Sequence, residues 1–132
     1  MNLNKLLASI FGNEVSKTWK VLFVIIGIVL LYLTLMPSVH YNSHHRHIDK
    51  VFHFIGFGAF AFAYMLAFPK INAYWVILVS MGLGVSVELI QSFIPHRAFS
   101  YLDMVADLLG ILFAVIIISI LRWIINKFAK GD

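Results

Sequence analysis

Ser86-Val87-Glu88-Leu89-Ile90-Gln91-Ser92-Phe93-Ile94-Pro95-His96-Arg97-Ala98-Phe99-Ser100-Tyr101-Leu102-Asp103-Met104-Val105-Ala106-Asp107-Leu108-Leu109-Gly110 decides how this chain is read. It holds three of the six acids, together with the Gln91 amide and the Arg97 guanidinium. Almost everything on either side of it is hydrocarbon. An acid in the middle of a bilayer costs several kcal/mol unless it is partnered. Polar groups gathered at one hairpin between two apolar runs therefore need a physical reason.

The composition gives the hairpin its setting. The 132 residues are 61% apolar and 12% charged, with a mean hydropathy of +0.92. A soluble domain is nearer half apolar and one quarter charged, so the chain reads as one membrane domain. With no cysteine there is neither a disulfide nor thiol chemistry. The net charge of +4 sits at the ends of the apolar runs, a pattern that fits lipid headgroups and topology, not nucleic acid.

Working outward, four apolar runs emerge at residues 19–36, 51–68, 73–94 and 102–125. The first rises about 27 Å, enough for the hydrocarbon core. Lys17, Trp19 and Lys20 anchor its start and Pro37 stops it. Before it, Leu3, Leu6, Leu7, Ile10 and Phe11 recur at helical spacing, which predicts an amphipathic helix lying in the interface over residues 1–18. Residues 38–50 read as a polar loop with His40, His44, His45 and His47, and residues 127–132 as a tail. The expected fold is an all-α membrane protein, a four-helix transmembrane bundle over 19–126 with that interfacial helix in front. Seven basic residues lie at one set of ends (Lys5, Lys17, Lys20, Lys70, Arg122, Lys127, Lys130) and three at the other (Arg46, Lys50, Arg97). This asymmetry predicts a multi-pass protein of the inner or plasma membrane with both termini in the cytoplasm.

The polar residues then fall at one, extracytoplasmic, end. Asp49 and His53 are four apart and share a helix face, Glu88 and Gln91 are three apart, and Asp103 and Asp107 are four apart. Counted from Pro95 and Ser100, Glu88 and Asp107 each lie about 10 Å inside. Small residues at every fourth position (Ala106, Gly110 and Ala114; Ala59, Ala63 and Ala67; Gly82 and Ser86) predict close helix crossings.

Asp49-Lys50-x-x-His53-Phe54, Glu88-x-x-Gln91 and Pro95-x-Arg97-x-Phe99-Ser100-x-x-Asp103-x-x-Ala106-Asp107-x-x-Gly110 together resemble the VanZ-like family, named for a teicoplanin-resistance protein. The resemblance runs from about residue 31 to residue 118. It implies an envelope-related role, in lipid-linked precursor metabolism or glycopeptide resistance, more than it implies a reaction. That family often carries Asn at the position of Asp107, which leaves open what this carboxylate does.

Each polar residue has a functional and a structural reading. Ser100-x-x-Asp103 before an apolar run is a capping pattern, and Asp49 is placed to cap the second span. Glu88 lies too deep to cap. It is either half of a buried pair with Arg97 or His53, or with His53 a catalytic acid/base couple. Lys50, Gln91, Arg97 and Asp107 are candidates to hold an anionic headgroup, and a guanidinium suits phosphate. The loop histidines offer no fixed face, so no metal ligand set and no cofactor is expected. The expected partner is membrane lipid, extending to a lipid-linked envelope precursor. Three functions compete: an envelope enzyme, a non-catalytic binding protein whose acids only fix the bundle, and a small proton-coupled carrier.

Overall fold

The computed structural model describes residues 17–36, 45–95 and 97–129. It contains four helices, α1 (Lys17–Leu35), α2 (His45–Ala67), α3 (Ala73–Gln91) and α4 (Tyr101–Ala129), and no strand among the described residues. All four carry an apolar stretch long enough to cross a membrane. Except for Lys17 and Thr18, the expected interfacial helix lies outside the described residues, as do Pro37, His40 and His44.

Three boundaries differ from the sequence reading. First, α2 begins at His45, not at residue 51. Residues 45–50 contain no glycine or proline, so the helix runs through polar residues before it reaches the apolar run. Asp49 is therefore already in the second turn and is not a cap. Second, α3 stops at Gln91. The Phe93 N–H bonds the Ile90 carbonyl and the Ile94 N–H bonds the Gln91 carbonyl, tightening the chain before Pro95. The residue before a proline avoids the helical region, which sets the limit. Third, α4 continues to Ala129 and takes in the start of the expected tail.

The short turn after α2 is closed from two sides. Asn72 caps α3 by accepting the Tyr74 N–H at 2.9 Å. Arg122 of α4 donates to the Met65 carbonyl at 2.6 Å, which the end of α2 leaves open, and to the Pro69 carbonyl of the turn at 3.3 Å. A residue read as a topological anchor thus also ties two helices together.

The most extensive interface joins α2 and α4. α1 lies mainly against α2, and α3 mainly against α4. α2 and α4 cross where Gly58 faces Gly110. A Cβ on Gly58 would meet the Gly110 carbonyl oxygen at 3.2 Å, and a Cβ on Gly110 would run into the Phe54 carbonyl oxygen. In lipid, where apolar attraction between helices is absent, such backbone approach is a main source of cohesion. Gly110 and Ala114 are buried here as expected, but Gly82 and Ser86 face outward, where the Ser86 hydroxyl bonds the Gly82 carbonyl at 2.8 Å. At the end remote from the acids, Phe23 of α1 packs on Phe60 and Tyr64 with ring centroids 5.0 and 4.9 Å away. Val21, Ile28, Phe52, Ile55, Val105 and Ile116 point outward, the apolar coat a spanning bundle shows to lipid.

The glycine pair makes a contrast testable in thermal melts of the detergent-solubilised protein. Gly110→Ala is expected to destabilise by about 1–3 kcal/mol, as overpacking does. Gly82→Ala, with nothing within 4 Å of the added carbon, is expected to leave the melting point unchanged or slightly raised.

Candidate functional site

The site forms where α2, α3 and α4 meet at one end of the bundle. Membrane crossings reverse direction each time, so the start of α2, the end of α3 and the start of α4 share that end. His53 comes from α2, Glu88 from α3, Asp103 and Asp107 from α4. His53 is 3% exposed, and Glu88 and Asp107 are fully buried.

The His53 Nδ1 lies 2.9 Å from the Asp107 Oδ1. With Asp107 ionised its oxygen accepts, and Nδ1 then carries the hydrogen and donates it. The ring is thereby fixed, and its Nε2 faces the Glu88 Oε1 at 3.9 Å, too long for a hydrogen bond. Phe57, one turn along α2, lies nearly parallel to the imidazole at 6.1 Å and walls the site from the interior. Gly84 of α3 makes room for Asp107, because a Cβ there would come within 2.8 Å of the Asp107 Oδ2. Asp107 is therefore a positioning group for His53 deep in the bundle, and not a headgroup contact at its mouth.

Glu88 combines two roles. Its Oε2 accepts the Ser100 N–H at 2.8 Å. Ser100 stands just before α4, and its Oγ accepts the Asp103 N–H at 3.3 Å. In a capping box the side chain three residues into the helix would reach back to the Ser100 N–H. Here Glu88, from a different helix, takes that donor. The Asp103 carboxylate is left to pair with the Lys50 ammonium at 3.2 Å. Because α3 ends at Gln91, Glu88 is only about one turn from its helix end, which is what brings it to the start of α4. The sequence reading that Glu88 is too deep to cap is thus corrected. The Glu88 Oε1 remains buried with no hydrogen-bond partner.

Gln91 and Arg97 are turned to a different task. The Gln91 Nε2 donates to the Thr34 carbonyl at 2.7 Å, and the Arg97 Nη1 donates to the same carbonyl at 3.0 Å. Thr34 is in the last turn of α1, where carbonyls lack helical partners. Of the alternatives for Glu88, the pair with Arg97 is not formed: Arg97 makes this tie to α1 instead, and the Gln91 amide nitrogen is committed to it. Thr34 escaped sequence reading, since its contribution is a backbone oxygen that no side-chain pattern reports.

Two cavities meet at the site. An apolar cleft of about 480 Å³ lies between α1 and α2, lined by Val29, Leu33, Phe52 and Ile55 and ending at His53, Asp49 and Arg97. Those four apolar residues are themselves exposed, so the cleft opens sideways to the hydrocarbon. A polar pocket of about 290 Å³ is lined by Asp49, Lys50, Gln91, Arg97, Ser100 and Asp103. Asp49 and Arg97 belong to both. Beside these cavities, one ligand atom each from His53, Glu88 and Asp103 lies within 4.8 Å of the others, a spacing that could hold a metal ion.

Among known proteins, a family model described as VanZ/LLP1 matches residues 7–122. No curated protein and no solved structure matches the chain.

The double role of Glu88 sets an order among its variants. Gln keeps an acceptor for the Ser100 N–H, whereas Leu strands that donor. Glu88→Leu is expected to be less stable than Glu88→Gln by about 1–3 kcal/mol, the cost of one unmade buried hydrogen bond. Equal melting points for the two variants would show that the Ser100 bond contributes nothing.

Proposed function

The chain belongs to the VanZ/LLP1 family, and from that premise and the shape of its site we propose that it binds a phosphate-bearing amphiphile drawn from the bilayer. The hydrocarbon chain lies along the cleft between α1 and α2, and the headgroup sits in the polar pocket. The observation that carries this reading is that the two cavities share Asp49 and Arg97. A molecule that fills both must be apolar at one end and polar at the other. Arg97 stands at the junction, and a guanidinium fork matches phosphate oxygens. Lys50 lines the same polar pocket from α2.

The envelope role implied by the resemblance to a teicoplanin-resistance family narrows the class to lipid-linked cell-wall precursors, whose phosphate joins a long isoprenoid chain to its cargo. In this reading His53, which lines the end of the cleft, and Glu88 behind it are the acid/base candidates for chemistry on the headgroup. A second reading has its own support. Glu88 caps α4 and Gln91 ties down α1, as expected of a non-catalytic binder whose buried groups hold helix ends together.

The site faces the extracytoplasmic side in this proposal. Lys17, Lys20, Lys70, Arg122 and Lys127 lie at the opposite end, whereas Lys50 and Arg97 line the site itself. A fluorescent protein that matures only in the cytoplasm, fused after residue 132, is expected to be bright. A dark fusion whose alkaline phosphatase counterpart is active reverses the orientation.

Ligand class is read by titrating the purified protein in nanodiscs with a polyprenyl phosphate and with the matching polyprenol. The phosphate form is expected to bind at least about tenfold tighter, and Arg97→Gln to remove about tenfold of that preference, as the loss of one charge-assisted hydrogen bond would. Val29→Trp, which fills the cleft, is expected to weaken both ligands. Equal binding of phosphate and alcohol, unchanged by Arg97→Gln, rejects the proposal. Tighter binding of phosphatidylglycerol than of polyprenyl phosphate keeps the phosphate but moves the ligand to bulk phospholipid.

A further inference from the structure

We infer that the His53 Nε2, the Glu88 Oε1 and a carboxylate oxygen of Asp103 form a binding site for one divalent transition-metal ion, with zinc the best match to the donor set. One ligand atom from each of the three residues lies within 4.8 Å of the others at the meeting of α2, α3 and α4, with the His53 Nε2 and the Glu88 Oε1 3.9 Å apart. Proximity of acids alone would not make a site. The second observation is the state of Glu88. The side chain is fully buried, its Oε2 is used by the Ser100 N–H, and its Oε1 has no hydrogen-bond partner while facing the imidazole nitrogen. With the hydrogen of His53 placed on Nδ1 toward Asp107, the Nε2 of a neutral ring is a lone pair. Two acceptors then face each other at 3.9 Å in the interior. Such a pair is relieved by a second proton on the imidazole or by a metal ion, and the Asp103 oxygen in reach of both supplies the third ligand that only the metal uses.

The distances suit the ion. Zinc holds imidazole nitrogen and carboxylate oxygen at about 2.0–2.2 Å in tetrahedral sites. Closing the 3.9 Å gap by about half an ångström gives that geometry. One nitrogen with two carboxylate oxygens favours zinc or manganese over magnesium and calcium, which take oxygen-only sets. Charge points the same way. Glu88, Asp103 and Asp107 bring three negative charges, and Lys50 beside Asp103 brings one positive. The remainder equals the charge of one divalent ion, in a region where uncompensated charge is costly. Asp107 then has the role of the carboxylate that orients a metal-bound histidine through its other nitrogen.

The site is open on one side. Asp103 also lines the polar pocket, so a fourth position on the ion, for water or a ligand oxygen, faces Lys50 and Arg97. That a headgroup phosphate occupies it rests on the lipid reading above. Metal binding itself does not, and is measured without lipid ligand.

The full chain in detergent, stripped with chelator, is titrated with zinc alone and then with manganese alone. Metal per chain is read by mass spectrometry and affinity by calorimetry. One zinc per chain is expected. Glu88→Gln and Asp103→Asn are each expected to weaken it by tenfold or more. Asp107→Asn leaves all three ligands in place and is expected to weaken it about 10–100-fold. Replacing His40, His44, His45 and His47 together with Ala is expected to leave the full equivalent bound. Failure of the unaltered protein to take up stoichiometric zinc overturns the inference. So does uptake that Asp103→Asn leaves untouched, or uptake that disappears with the four histidines. Asp103→Asn, in the lining of the polar pocket, decides the matter alone where Glu88→Gln does not fold.

Discussion

The hydrogen bond from the Ser100 N–H to the Glu88 carboxylate is the contact on which the rest of the site depends. The start of α4 leaves backbone donors open, and in a bilayer no water reaches them from the lipid side. Ser100 satisfies one with its own hydroxyl, and Glu88 satisfies another from the neighbouring helix. One carboxylate oxygen is thereby pinned at the end of α3. The other is left facing His53, whose ring Asp107 holds from behind. Asp103, no longer needed to complete its own cap, is available to Lys50. A single bond between two helix ends thus distributes three acids into three environments.

The sequence was legible where hydropathy and spacing report on side chains. Four apolar runs, the polar hairpin and the convergence of His53, Glu88, Asp103 and Asp107 at one end all followed from counting residues along antiparallel helices. What escaped was carried by the backbone. Thr34 matters through its carbonyl, Ser100 through its N–H as well as its hydroxyl, and Gly58 and Gly110 through main chains that touch. The Gly82–Ser86 spacing matched the crossing motif yet faces outward, because spacing selects a helix face without saying what lies against it. Arg97 and Gln91 were assigned to a headgroup by chemical type, and their bonds to Thr34 depend on where α1 ends, beside the turn after α3.

The bundle is held differently at its two ends, which explains where it is open. Away from the site, Arg122 closes the end of α2 and the Phe23 cluster locks α1 against α2. At the site end, α1 is held to the α3–α4 hairpin through the Thr34 carbonyl. The apolar cleft lies between α1 and α2 at this second end, where a polar tie stands in place of aromatic packing. Rings that interlock fill volume, whereas a carbonyl gripped by long side chains fixes a position and leaves space beside it.

Structural and functional readings of these residues are therefore not alternatives. A polar group inside a membrane domain must be partnered whatever else it does, so any site built there has to be assembled from groups that also hold helices. What separates the two roles is the atom left over. Gln91 gives its amide nitrogen to Thr34, and Asp107 gives one oxygen to His53 while its second is buried beside Gly84 without a hydrogen bond. Glu88 gives one oxygen to Ser100 and keeps the second, buried and without a hydrogen bond, against the free side of the imidazole. An unmade hydrogen bond in the interior costs stability, so each orphaned oxygen calls for a physical reason. The two orphaned oxygens differ in what they face: the Asp107 Oδ2 lies toward Gly84, whereas the Glu88 Oε1 lies toward the imidazole nitrogen, where the proposed ligand would sit.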